Sequence, residues 1–358
     1  MARTARELGL GAAQVQAAAD LLGEGATVPF MARYRKEATG SLDEVAIAAI
    51  RDRLAQLDAL EARKGAIVAS LEERHLLTEQ LRNQLDGADT LAALEDVYQP
   101  FRPKRRTRAS AARDKGLEPL ADLLFRQDPR VDPVAEARRF VTPAWADVED
   151  ALRVADEEVA LQGARDILAE RVTDDAEARA RIRRLFWQRG VLRAEVRSGK
   201  ESSGAKFKDY FDWSEPIANA PSHRVLAMLR GEAEDVLSIA IQPPEDDALP
   251  ILERLFCRGS SRSTEQVRLA VRDGYKRLLS RSMETETRAE AKQRADAAAI
   301  GVFSQNLRQL LLAAPLGQKR VLAIDPGLRT GCKTVVLDAQ GQLVYDTVVY
   351  PDQGQQRR

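Results

Sequence analysis

Apolar residues return every three or four positions through most of the chain, the spacing of helices with one buried face. From Gly11 to Leu22 that face is Val15, Ala18, Ala19 and Leu22. Gly23 and Gly25 end the run, and Pro29 delays the next one. Ser41-Leu42-Asp43-Glu44 has the form of a capping box, with Ser41 as N-cap and a carboxylate three residues on. Behind it Ile47, Ile50, Leu54, Leu57, Ile67, Val68 and Leu71 hold one side for about thirty residues. This predicts a helix lying along a partner helix; Lys64 and Gly65 interrupt the seam and weigh against an isolated coiled coil. Pro100 and Pro103 break the pattern, and a short amphipathic helix resumes from Gly116 to Phe125 through Leu117, Leu120, Leu123 and Leu124. The first two hundred residues thus read as helices joined by short breaks.

Between Gly199 and Pro221 the pattern lapses into Gly, Ser, aromatic and Pro residues. After Pro243, Pro244 and Pro250 a long run occupies Thr264 to Ala313, with Val267, Val271, Tyr275, Leu278, Met283, Ala291, Ala295, Ala299, Val302, Phe303, Leu307 and Leu310 at helical steps. A helix of about fifty residues spans about 75 Å, so it reads as a spine for other elements. Beyond Pro315 the period changes to that of strands: 320–325, 333–338 and 343–350, the last two joined by a turn at Ala339-Gln340-Gly341-Gln342. A meander with one apolar face wants a cover, and the remaining residues supply none, so the chain reads as ending inside a domain. The expected class is mostly α, an elongated multi-helix region followed by the first three strands of an α/β domain. Its expected divisions are 1–200, 201–318 and 319–358.

Composition narrows the function classes. Lys plus Arg is 55 and Asp plus Glu is 55, giving zero formal charge, but 44 of the cations are Arg against 11 Lys. The signs are segregated: Asp147, Glu149, Asp150, Asp156, Glu157 and Glu158 form one acidic stretch, and Glu232, Glu234 and Asp235 another. A polyanion responds to that local field, not to the sum. Cys257 and Cys332 are far apart and form no CxxC pair, which gives no support to a disulfide framework or zinc ribbon. His75 and His223 are equally isolated, and His75, in Glu-Glu-Arg-His-Leu-Leu, reads as a solvated helix end. No apolar run approaches a membrane span, and the N-terminus lacks the apolar stretch of a signal peptide. A cytoplasmic protein without metal, cofactor or membrane partner is expected.

Two segments point to chemistry. In Val321-Leu322-Ala323-Ile324-Asp325-Pro326-Gly327 a hydrophobic strand delivers a carboxylate at its end, as RNase H-like nucleases and phosphotransferases place their first metal-binding Asp. A two-metal site needs several carboxylates from different strands, and only Asp325 is in place. A strand-end Asp capping a turn stands at least level with that reading, so no metal or catalytic residue is assigned. In Tyr98-Gln-Pro-Phe-Arg-Pro-Lys-Arg-Arg-Thr-Arg108, five of the seven residues from Arg102 to Arg108 are cationic. A Pro-stiffened loop of this kind suits phosphate contacts, with Tyr98 and Phe101 as stacking surfaces. This is favoured over a basic loop paired with the acidic stretches. Arg33, Arg35 and Lys36 lie among Phe30 and Tyr34, and Lys206, Lys208 and Arg224 among Phe207, Tyr210 and Phe211. Such mixtures can bind single-stranded nucleic acid. For these five rings, however, burial in the core is the favoured expectation.

Several segments together resemble the bacterial transcription accessory protein Tex family. They are Gly25–Leu42, Leu94–Arg108, Gly204–Phe211, Pro221–Arg224 and Leu322–Gly331. The resemblance implies a helix-turn-helix in the N-terminal region, a long central helix and the start of an RNase H-like, YqgF-type domain. It also implies sequence-independent nucleic-acid binding within the transcription or ribosomal machinery. In the family, helix-hairpin-helix and OB-fold modules follow, and this sequence stops before them. The expected activity is a binding scaffold without catalysis, using Arg102, Lys104, Arg105, Arg106 and Arg108, with Arg33, Arg35, Lys36, Lys206, Lys208 and Arg224. The rivals are a metal-dependent nuclease or resolvase with a truncated catalytic domain, and a helical protein–protein adaptor.

Overall fold

The computed structural model describes residues 1–103, 106–327 and 331–350. They fall into two compact units, Met1–Ala295 and Asp296–Arg358. Among the described residues no helix is long and apolar enough to cross a membrane.

The first unit begins with α1 (Ala2–Leu8), α2 (Ala12–Gly23), α3 (Val28–Tyr34), α4 (Lys36–Thr39) and α5 (Glu44–Glu73). Val15, Ala18, Met31, Ala32, Leu42, Ile47 and Ile50 close a first core between them. The N-cap of α5 is Asp43, not Ser41: the Asp43 carboxylate accepts the Ala46 N–H at 2.8 Å. Ser41 instead sits at φ +63° directly after Gly40, also at +63°, so these two residues turn the chain between α4 and α5. Nor does α5 follow one partner. Its first half serves the first core, while Leu60, Ile67 and Leu71 join Leu81, Leu85 and Leu94 in a second, closed by α6 (Glu79–Asp86) and α7 (Leu91–Tyr98).

The largest core is built around α11 (Glu157–Asp174), which buries eleven of its eighteen residues. Against it lie α8 (Arg108–Asp114), α9 (Glu118–Arg126), α10 (Pro133–Ala137), α12 (Ala176–Arg189), α14 (Glu245–Phe256) and α15 (Arg262–Gly274). A Cβ on Gly274 would stand 3.0 Å from the Ala169 carbonyl oxygen, so only glycine lets α15 approach α11 this closely.

The helical expectation for the first two hundred residues fails at its end. Val191–Val196 is β1, paired antiparallel to β2 (Asp212–Pro216) and β3 (Leu237–Gln242) in the order β2-β1-β3. Within Val-Leu-Arg-Ala-Glu-Val, Leu192 and Ala194 are buried while Arg193 and Glu195 face out, a period of two written largely in helix-forming residues. Pairing with residues more than forty positions away overrides that propensity. α13 (Ser222–Ala233) packs on β3, and the sheet core takes in Ala291 and Ala295. Glu284 accepts the Ile241 N–H at 2.9 Å and Arg288 donates to the Ile239 carbonyl, so side chains occupy polar groups on the open edge of β3.

Those residues belong to α16 (Ser280–Leu311), which follows α15 through a π turn, Tyr275–Leu279. The long helical run is therefore present, interrupted once. Its expected apolar face is buried from Val267 to Ala295 except for the half-buried Leu278, but Ala299, Val302, Phe303, Leu307 and Leu310 are exposed. In the second unit β4 (Val321–Asp325), β5 (Cys332–Leu337) and β6 (Leu343–Val349) form an antiparallel sheet in chain order. Asp338 accepts the N–H groups of Gln340 and Gln342, each at 2.9 Å, and Gly341 at φ +81° completes the expected turn. The architecture is mostly α with the opening of an α/β domain.

Candidate nucleic-acid interface

The cationic segment is tied to the protein on both sides. Upstream, Tyr98 is buried, its hydroxyl 3.4 Å from Ser70 Oγ and its ring beneath the Arg63 guanidinium. Contrary to the expectation, Tyr98 thus offers no stacking surface. Phe101 is half-buried against the second core, and its carbonyl accepts from Arg74 Nη1 at 2.7 Å. Downstream, Thr107 and Ser110 form a reciprocal capping box on α8, and the Thr107 hydroxyl donates to Glu170 at 3.2 Å. Between these anchors Arg102 and Arg106 are exposed, as is Arg108 on the first turn of α8, and none makes an ion pair with a described residue. Lys104 and Arg105 lie outside the described residues.

At α3–α4, Met31 and Ala32 are buried whereas Arg33, Arg35 and Lys36 are exposed. So are Phe30 and Tyr34, which corrects the expectation that these rings are buried. The reason is helical geometry: residues 30 and 34 share a face one turn apart, opposite the face that Ala32 commits to the core.

The third cluster behaves as packing. Phe207 is buried, and Tyr210 and Phe211 are half-buried on the sheet core, as expected. Lys206 pairs with Glu234 at 2.5 Å and Lys208 is exposed. Arg224 is half-buried, its guanidinium 4.9 Å from the Trp213 ring centroid and its Nε 3.4 Å from Glu215. The three clusters accordingly stand on different cores: α3–α4 on the first, Arg102, Arg106 and Arg108 between the second and the largest, and residues 206–224 on the sheet.

Sequence reasoning missed a buried ionic network beside the cationic segment. Asp96 accepts from Arg179 at 2.6 Å and, in a two-pronged pair, from Arg183 at 2.7 and 2.8 Å. Glu286 on α16 bonds both arginines. The only signal was the i, i+4 spacing of Arg179 and Arg183, which the neighbouring surface arginines blur. Near it a cavity of about 300 Å³ is lined by Gln99, Thr107, Glu170, Arg179, Arg277 and Ser282. At the other candidate, Asp325 is exposed at the end of β4, in register with Lys333. Among the described residues no group of three or more His, Cys, Asp or Glu is placed to hold a metal ion.

A multi-core helical scaffold that leads into an RNase H-like sheet is thus the class that fold and site define. Residues 1–72 match the model of the Tex-like protein N-terminal domain, 128–303 that of the Tex central region and 319–358 that of the Tex protein YqgF-like domain. With these three in order, the chain belongs to the Tex family. It is 42% identical to Protein tex of Bordetella pertussis over 98% of this chain and 45% of that protein. It is also 42% identical to the transcriptional accessory protein Tex of Neisseria gonorrhoeae, over 96% of this chain and 45% of that one. The human S1 RNA-binding domain-containing protein 1 is 28% identical over 94% of this chain and 34% of its own length. The chain spans less than half the length of these relatives.

Proposed function

We propose that this chain is a sequence-independent nucleic-acid-binding scaffold of a transcription accessory factor, acting in the cytoplasm on RNA or DNA and using no catalysis of its own. The observation that carries the reading is the exposed, unpaired state of Arg102, Arg106 and Arg108. Many cations of this chain are matched to acids, so three exposed arginines without an ion pair to a described residue, on a segment anchored at both ends, favour an external anion. Phosphates fit: they need charge and reach, with no base readout. Lys104 and Arg105 belong to the same segment by sequence; Arg33, Arg35, Lys36 and Lys208 add secondary contacts. Lys206 and Arg224, already engaged by Glu234 and Glu215, contribute less. The names of the gonococcal and human relatives, a transcriptional accessory protein and an S1 RNA-binding domain protein, point the same way.

The test is fluorescence anisotropy of the whole chain with a short single-stranded RNA and a DNA of the same length. Replacing Arg102, Lys104, Arg105, Arg106 and Arg108 together by Ala is expected to weaken binding about tenfold or more at low salt. Unchanged affinity for both ligands would refute the assignment.

A further inference from the structure

We infer that α3 carries a stacking platform for unpaired bases, formed by Phe30 and Tyr34 and flanked by cations for the adjoining phosphates. The inference rests on the nucleic-acid reading above and adds which form of nucleic acid the chain prefers. Phe30 is 41% and Tyr34 68% exposed, although Met31 and Ala32 between them are at most 4% exposed. The helix is therefore fixed by its inner face while its outer face holds two rings in place. Their centroids are 5.7 Å apart with planes inclined at 43°. Phe30 lies beneath the Arg35 guanidinium, so the open ring face falls to Tyr34, which offers its π surface to a base beside that stacked pair.

The charge around the rings suits a polyanion. The Arg35 guanidinium lies 5.6 Å from the Phe30 centroid and extends the platform with a flat cation. Lys36 is exposed and makes no ion pair with a described residue, and the recorded partner of Arg33 is Glu44 at 4.0 Å, the outer limit of a pair. Glu37, also exposed, is the opposing charge on α4. Exposure of an aromatic alone would not suffice. Trp145 is 86% exposed, but its neighbours Asp147, Glu149 and Asp150 have the wrong sign for phosphate. Stacking requires a free base face, which a duplex hides, so the platform selects single strands.

The experiment compares the whole chain with its Phe30→Ala/Tyr34→Ala variant on short oligoadenosine, oligouridine and a duplex of equal length. Single-strand affinity is expected to fall about 10- to 100-fold, more for adenosine, while duplex affinity and the slope of affinity against salt stay unchanged. Phe30→Leu/Tyr34→Leu keeps apolar contacts and removes the π faces, so it should show the same loss; Tyr34→Trp should retain binding. A thiouridine-labelled RNA should cross-link to a peptide containing Phe30 or Tyr34. Equal losses on single strand and duplex, or no loss with either double variant, overturn the platform. If the rings prove dispensable while the Arg102–Arg108 variant still loses binding, the platform alone fails. If the unaltered chain binds no nucleic acid, both readings fail together.

Discussion

The buried acid at position 96 shows what one residue does in this chain. Its carboxylate side chain is 5% exposed and faces two guanidinium groups, of which Arg179 is 8% exposed. Removing one member of such a set strands the others in a medium that solvates charge poorly. Asp96→Ala is therefore expected to cost about 3–5 kcal/mol in urea unfolding. Asp96→Asn, which keeps an acceptor, should cost less; equal, negligible effects of the two would show that Glu286 alone holds both arginines. A second residue forms a pH-dependent surface tie between helices of the first core. Glu7 on α1 accepts from Arg53 on α5 and from Arg3, and these bonds hold its carboxyl down at about 2. A lowered folded value means that this tie is present above the ordinary 4.5 and is given up as pH falls toward 2. Carboxyl titration by carbon NMR should find the Glu7 midpoint near 2, and Arg53→Ala should move it up toward 4.5.

Among elements, what the sequence disclosed depended on how local the deciding contacts are. β4, β5 and β6 emerge within about a residue of their expected ends because a short hairpin with a Gly turn writes its register locally. α5 also appears at its expected length, but its single apolar stripe could not reveal that Ile50 and Leu60 serve different cores. β1 was invisible, since its partner β3 lies beyond an intervening strand and helix. The cationic segment was plain from charge density alone. That Tyr98 points inward and Tyr34 outward was not, since one ring in a helical stretch looks like another until the neighbouring cores are known. Two glycines separate helix propensity from packing. Gly65, within α5 and exposed, has no atom within 4 Å of a built Cβ, so Gly65→Ala should stabilise by about 1 kcal/mol. Gly274→Ala gains the same propensity but brings its methyl to 3.0 Å from the Ala169 carbonyl and 3.1 Å from Thr173 Cγ2. Overpacking of this kind costs about 1–3 kcal/mol, so the net effect should be a loss. Opposite shifts of the urea midpoint for these two variants are the expected result; a stabilised Gly274→Ala would mean that α15 can retreat from α11 freely.

For the whole molecule, the proposed binding of a polyanion has to be squared with zero formal charge and a pI near 6.8. Its cations are not evenly offset. Arg113, Arg171, Arg179, Arg183 and Arg277 are bound to acids inside or beside the largest core, while Arg102, Arg106 and Arg108 are exposed and make no ion pair with a described residue. At physiological salt a surface charge is felt over about 8 Å, so a bound strand responds to its immediate neighbours and not to acids on other cores. The formal sum predicts no salt dependence; the local arrangement predicts a marked one. Each phosphate neutralised on a single strand contributes about 0.7 to the slope of log affinity against log salt. If all five cations of the segment engage phosphates, their removal should flatten that slope by about 3.5, and by proportionately less if only some do. Anisotropy titrations from about 50 to 200 mM salt measure it directly. A slope indistinguishable between the whole chain and the five-alanine variant would place the phosphates elsewhere on the molecule. Affinity independent of salt in the unaltered chain would mean that whatever it binds is not held by charge.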